Sequence, residues 1–177
     1  MACASLTAIA EDCGLNPGGA KPYFLIAAKE DIDTIPAATD EVITTAITMQ
    51  STKVFVKWDL DPDSVEMKVK TEGEGLSKSI MVEIEAFLPR LTAPIQAAIK
   101  LAIGRQLVIV LVDAQGRKRL IGDVEKGAFC DFEANTGKKG SDRTISRLQS
   151  RLTSGEVQTY RSSDFGESFP DWKNVCR

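Results

Sequence analysis

Apolar residues recur at every second position over much of the chain and at every fourth position in only one stretch. This difference in period restricts the fold more than any other feature. In KVFVKWDLDPDSVEMKVK, residues 53–70, Val54, Val56 and Trp58 alternate with Phe55 and Lys57. Val65, Met67 and Val69 alternate with Glu66, Lys68 and Lys70. A period of two places alternate side chains on opposite faces of a strand. Two such runs around Asp59, Asp61, Pro62 and Asp63 predict a β-hairpin with a solvated acidic tip.

Further strands are expected over 23–27 and 42–49, where Thr44, Thr45 and Thr48 suit a strand better than a helix. Residues 29–41 read as an acidic loop. Over 78–88, Ile80, Val82, Ile84 and Ala86 share one face, and Met81, Glu83, Glu85 and Phe87 the other. The run from Leu107 to Val112 is wholly apolar and reads as a buried strand. The turn Asp113-Ala114-Gln115-Gly116 returns it into 118–121 as a second hairpin. Strands over 128–133, 144–152 and 157–160 complete the set.

The period changes over 91–103. Leu91, Ile95, Ile99 and Ile103 recur every four residues, Pro94 sits in the first turn and Gly104 follows as a stop. This helix is too apolar to face water all round and needs a sheet to lie against. Many short strands with one inserted helix predict a mainly β chain, an antiparallel barrel or sandwich with a flanking helix. At 177 residues the chain is one domain, 1–177, with an N-terminal arm over 1–20 and a C-terminal extension over 162–177. A short helix over 3–12 is expected within the arm.

Composition narrows the function. The chain has no histidine, which removes Ser-His and Cys-His nucleophilic pairs and most catalytic metal sites. A net charge of −3 gives no overall basic footprint for nucleic acid. No apolar run is long enough to span a membrane. The N-terminus lacks a basic flank before Glu11 and Asp12, so a cytoplasmic chain is expected. Cys3, Cys13, Cys130 and Cys176 form no C-x-x-C pair, so they read as thiols, some buried as small hydrophobes.

Each candidate site has a plain structural alternative. Asp59, Asp61 and Asp63 begin like a calcium loop, but the sixth position is Ser64 and the twelfth Lys70, where an EF-hand needs Gly and Glu. The loop from Thr136 to Ser141 has lysines between its glycines rather than the phosphate-loop order. Arg143, Arg147 and Arg151 share one strand face, either as a stripe for an acidic partner or as a solvated face. Glu83 and Glu85 share another. These residues assemble no catalytic, metal or cofactor site, and a structural or binding role is expected. Trp58, Phe165, Phe169 and Trp172 are the candidate subunit-interface residues. A tail carrying three aromatics docks on its own domain or on a neighbour.

Two segments carry a resemblance. The opening MACASLTAIAEDCG resembles the start of small structural proteins encoded by phages of Bacteroidetes bacteria. The run RQLVIVLVDAQGRKRLIGD, followed by GSDRTISRLQSRLTSGE, is similar to the hairpin after the helix and the late strand of tail tube proteins of long-tailed phages. The tube protein of type VI secretion systems has the same order of elements. The resemblance implies hexameric rings that stack into a tube, assembled in the host cytoplasm and ending in the virion tail. Other virion structural proteins are then the partners, with DNA passing transiently through the lumen and no membrane involved. On this reading 53–70 and 78–88 are the lumen-lining candidates. A tail terminator, a head–tail connector, a head-surface protein and a small ligand- or calcium-binding barrel are the alternatives.

Overall fold

A computed structural model describes residues 18–74, 78–88, 92–135, 145–153 and 157–160. The strands are β1 (Ala20–Ala28), β2 (Ile32–Thr34), β3 (Val42–Ile43), β4 (Thr48–Met49), β5 (Val56–Asp59), β6 (Glu66–Glu72) and β7 (Ser79–Leu88). After the helix α1 (Ala93–Ala102) come β8 (Leu107–Asp113), β9 (Lys118–Ile121), β10 (Phe129–Asn135), β11 (Ile145–Thr153) and β12 (Val157–Tyr160). One sheet runs β3-β12-β9-β8-β1-β5 and a second β10-β11-β7-β6, while β2 and β4 form a two-stranded ribbon. Among the described residues only β12 with β3 pairs in parallel. The expected mainly β architecture with one helix is the observed one, and the pairings among the described residues leave both large sheets open.

The apolar strand β8 organises the packing. Leu107, Ile109 and Leu111 face the four-stranded sheet, where they meet Val82, Ile84, Ala86, Leu88, Leu148 and Leu152. Val108 and Val110 face the other way, against Ile32, Ile43, Ile47 and Phe55. The register Phe24↔Leu111, Leu25↔Val110, Ile26↔Ile109 extends both faces onto β1. The six-stranded sheet is therefore covered twice, by the second sheet and by the 32–55 excursion. That coverage explains an uninterrupted hydrophobic run where a half-exposed strand would alternate.

Two expectations need correction. The segment 53–70 is not a hairpin: β5 pairs with β1 in one sheet and β6 with β7 in the other. The Leu60 amide donates to the Pro22 carbonyl and the Asp61 amide to the Phe87 carbonyl, so the chain changes sheets between these two residues. Ser64 Oγ donates to the Asp61 carbonyl at 2.6 Å, and Asp63 takes a left-handed φ of 58° to complete the corner. Leu60 and Val65 are buried between the sheets, where a hairpin tip would expose them. The expected strand over 42–49 is two short strands, β3 and β4, because Ile43 and Ile47 turn inward to cover the central sheet and Thr48 pairs with β2. Within the expected loop 29–41 lie a 3-10 turn, Lys29–Asp31, and β2.

The helix is two residues shorter at its start and one shorter at its end than its period suggests. Pro94 lies in its first turn, and the Ile103 amide closes the last turn onto Ile99 O before Gly104 at a φ of 77°. The second hairpin is as expected: β8 and β9 pair antiparallel, and Asp113 Oδ1 accepts from the Arg117 amide at 2.7 Å. The arm helix over 3–12 lies outside the described residues.

The corner makes a direct prediction. Leu60→Ala should destabilise the protein by about 2–5 kcal/mol, the usual cost of truncating a core leucine. Urea denaturation measures this, and a loss below about 0.5 kcal/mol, the surface value, would restore the exposed-tip reading.

Candidate assembly surface

The four-stranded sheet has one face in the core and one outside. Cross-strand register puts Lys68, Glu83 and Arg151 in one outer row, and Glu66, Glu85, Gln149 and Asp131 in the next. Six acids, Glu66, Glu72, Glu83, Glu85, Asp131 and Glu133, share this face with four bases, Lys68, Lys70, Arg147 and Arg151. Lys70 Nζ lies 2.7 Å from Glu83 Oε2, and Arg147 Nε lies 2.8 Å from Glu85 Oε1. Arg151 reaches Glu72 at 3.2 Å, and its Nε donates to the Met81 sulfur at 2.9 Å. Two sequence features, the arginine stripe and the paired glutamates, thus answer each other inside one chain. Arg143 lies outside the described residues. The hydrogen bond from Lys70 holds the Glu83 carboxyl below the usual glutamate range, with Arg151 acting in the same sense. Glu66, beside Lys68, raises that ammonium in turn.

The edges of this sheet are unlike its centre. Among the described residues β6 and β10 each pair on one side only. Both are seven residues long. Lys68 and Lys70 stand mid-strand on β6, and Asp131 and Glu133 occupy the same face of β10. Val69 on β6 is 52 % exposed although its face points toward the core, and Phe129 on β10 is equally exposed. Unpaired edges with exposed apolar side chains are templates for another strand.

Of the four interface candidates, only Trp58 falls within the described residues. It is half-buried, its ring 5.9 Å from that of Phe24 and 6.1 Å from that of Phe132. This contact joins β5, at the edge of one sheet, to β10, at the edge of the other, and α1 lies over the seam. A cleft of about 300 Å³ on one side of α1 is lined by Trp58, Leu88, Pro94, Ile95 and Ala98, with Lys57 and Asp59 at its rim. A second, of about 230 Å³, runs between α1 and Phe132. Leu101 and Ile103 at the end of the helix remain 66 % and 56 % exposed. Periodicity pointed to Trp58. The cleft beside it arises from helix packing and has no local signal.

The other candidates separate. Asp59 pairs with Lys57 at 2.7 Å, while Asp61 and Asp63 belong to the corner. No group of three or more His, Cys, Asp or Glu able to hold a metal occurs among the described residues. Cys130 is buried, and that burial pushes its thiol up to about 11, which keeps it protonated at neutral pH. Cys3, Cys13, Cys176, the loop from Thr136 to Ser141, and Phe165, Phe169 and Trp172 lie outside the described residues. No helix among the described residues is long and apolar enough to cross a membrane. No family model matches the chain, and neither does any curated protein or solved structure.

The Glu83 carboxyl sets a pH test. Its folded pKa lies below its unfolded value, so its stabilisation is complete above the ordinary glutamate pKa of about 4.3. It is lost as pH falls through the lower folded value. The urea midpoint of wild type should exceed that of Glu83→Gln by a constant margin above about pH 5, and the margin should close on acidification below about pH 4. A margin that widened as the pH fell would contradict the Lys70–Glu83 geometry.

Proposed function

We propose that this chain is a virion structural protein, a tail tube subunit. Its copies join edge to edge into rings, six to a ring as the resemblance implies, and the rings stack into a conduit for the genome. One observation carries the reading: among the described residues the four-stranded antiparallel sheet ends in two unpaired edge strands of equal length. An even number of alternating strands repeats without a fault. Rotation of one copy about an axis along the strands sets its β10 antiparallel to the β6 of the next. Such a head-to-tail contact closes into a ring when the rotation closes. Barrels of roughly 16–18 strands already enclose an aqueous channel, and six four-stranded sheets exceed that count.

The face turned toward such a lumen is the ion-paired one, with two more acids than bases. That excess suits a polyanion in transit, because it repels DNA from the wall. The arginines sit beside carboxylates and offer few free cations to retain phosphate. The lysines of β6 would face Asp131 and Glu133 of the neighbouring β10. The chain carries out no catalysis on this reading and needs no cofactor. It is assembled in the host cytoplasm and works in the virion tail.

Negative-stain electron microscopy of the purified protein across a concentration series tests the proposal. Stacked rings or tubes are expected. Single unstacked rings would favour a tail terminator or connector instead, and a monomer that persists at millimolar concentration would overturn the tube reading.

A further inference from the structure

The side-chain rows of an edge strand decide which partner strand it accepts, because like charges directly opposite one another destabilise a pair. On β6 the outer row is Glu66, Lys68, Lys70 and Glu72, and on β10 it is Phe129, Asp131, Glu133 and Asn135. Lys68 and Lys70 each hold one carboxylate, Glu66 at 2.8 Å and Glu83 at 2.7 Å, and their side chains stay 47 % and 54 % exposed. An ammonium has three donors, so each lysine keeps capacity for a second acceptor. Asp131 stands opposite Gln149, and Glu133 opposite Arg147, which pairs with Glu85 instead. Neither acid has an ion-pair partner among the described residues.

We propose that a second copy of this chain lays its β10 on β6 in one antiparallel register, with Lys68 opposite Glu133 and Lys70 opposite Asp131. This rests on the edge-to-edge contact of the tube reading and fixes its register and polarity. Three observations select it. All seven residues of each strand then overlap, Glu66 with Asn135 at one end and Glu72 with Phe129 at the other. A slip of two residues, the smallest that keeps the faces matched, opposes Glu66 to Glu133 in one direction and Glu72 to Asp131 in the other. On the inner face Val69, 52 % exposed, comes opposite Phe132, an aliphatic–aromatic pair that covers it. Pairing of like edges is disfavoured as well. Every face-matched antiparallel β6–β6 register that overlaps five residues or more opposes lysine to lysine, and every such β10–β10 register opposes acid to acid.

The same register suits closure. Within one copy a row runs straight across the sheet through Lys68, Glu83, Arg151 and Phe129. Phe129 of the second copy stands opposite Glu72, so the row advances four residues for every four strands. Equal shear and strand number are also the values of the eight-stranded barrel of shear eight, whose strands tilt by about 36°. That tilt lies within the roughly 35–45° of closed barrels. The slipped registers would advance two or six residues instead.

Disulfide trapping in the full-length chain tests this. A Lys70→Cys preparation is mixed with an Asp131→Cys preparation, assembled and oxidised, and bridged peptides are identified by mass spectrometry. Parallel mixtures use Glu133→Cys or Phe129→Cys as the second chain. The bridge between positions 70 and 131 should form in at least tenfold higher yield than 70–133 or 70–129. A dominant 70–133 or 70–129 bridge, or a 70–70 bridge in the first preparation alone, would overturn the register. Charge exchange gives a second readout. Lys68→Glu/Glu133→Lys should assemble as wild type does. Lys68→Glu/Asp131→Lys has the same net charge but opposes like charges at both positions, and should need at least tenfold more protein to assemble; equal behaviour of the two variants would contradict the pairing. Micrographs of the bridged samples separate the two readings. Rings without the 70–131 bridge sink the register alone, the bridge in samples without rings sinks the tube reading alone, and unbridged monomers sink both.

Discussion

The rest of the molecule follows from a strand that water can touch on neither face. From Leu107 to Val112 every side chain of β8 is buried. Each such aliphatic is worth roughly 1.5–3 kcal/mol when removed from water. One covering layer recovers only half of them. The second sheet seals Leu107, Ile109 and Leu111, and the 32–55 excursion seals Val108 and Val110. The excursion would otherwise be a long irregular connection with little reason to be ordered. Its Ile32, Ile43, Ile47 and Phe55 make it the lid that the central sheet requires.

The 59–65 corner has the complementary task. It carries the chain from the doubly covered sheet into the sheet whose outer face is polar, and Leu60 and Val65 remain in the shared core as it does so. One sheet is thereby committed to burial, and the other presents an ion-paired surface and, among the described residues, two edges without a partner strand. On the proposed reading, stability and assembly fall to different layers. Lys70–Glu83 and Arg147–Glu85 order the outer face with paired charges.

Local pattern revealed most of the elements, because period two and period four are properties of a few consecutive residues. β7, β8, β9 and β11 and the body of α1 lie where alternation or a four-residue repeat places them. What a strand pairs with is not local. A hairpin and a sheet-crossing corner share the same alternation and the same Asp-Pro chemistry, and only Leu60, an apolar residue at a supposed solvated tip, distinguishes them. The same limit hid the meeting of Arg147 and Arg151 with Glu85 and Glu72, since it depends on the register between β11, β7 and β6. Trp58 was legible as an apolar residue on an alternating strand, but the groove beside it exists only once α1 settles over the seam between two sheets.

If the covered sheet provides stability and the open edges provide assembly, amide hydrogen exchange should record both. In the dissociated protein, β8 and β1 should exchange only through global unfolding, while the outward amides of β6 and β10 exchange orders of magnitude faster. In assembled particles the slow class should expand to include β6 and β10. Equal rates at these two edges before and after assembly, or a β8 no slower than β6, would contradict the account.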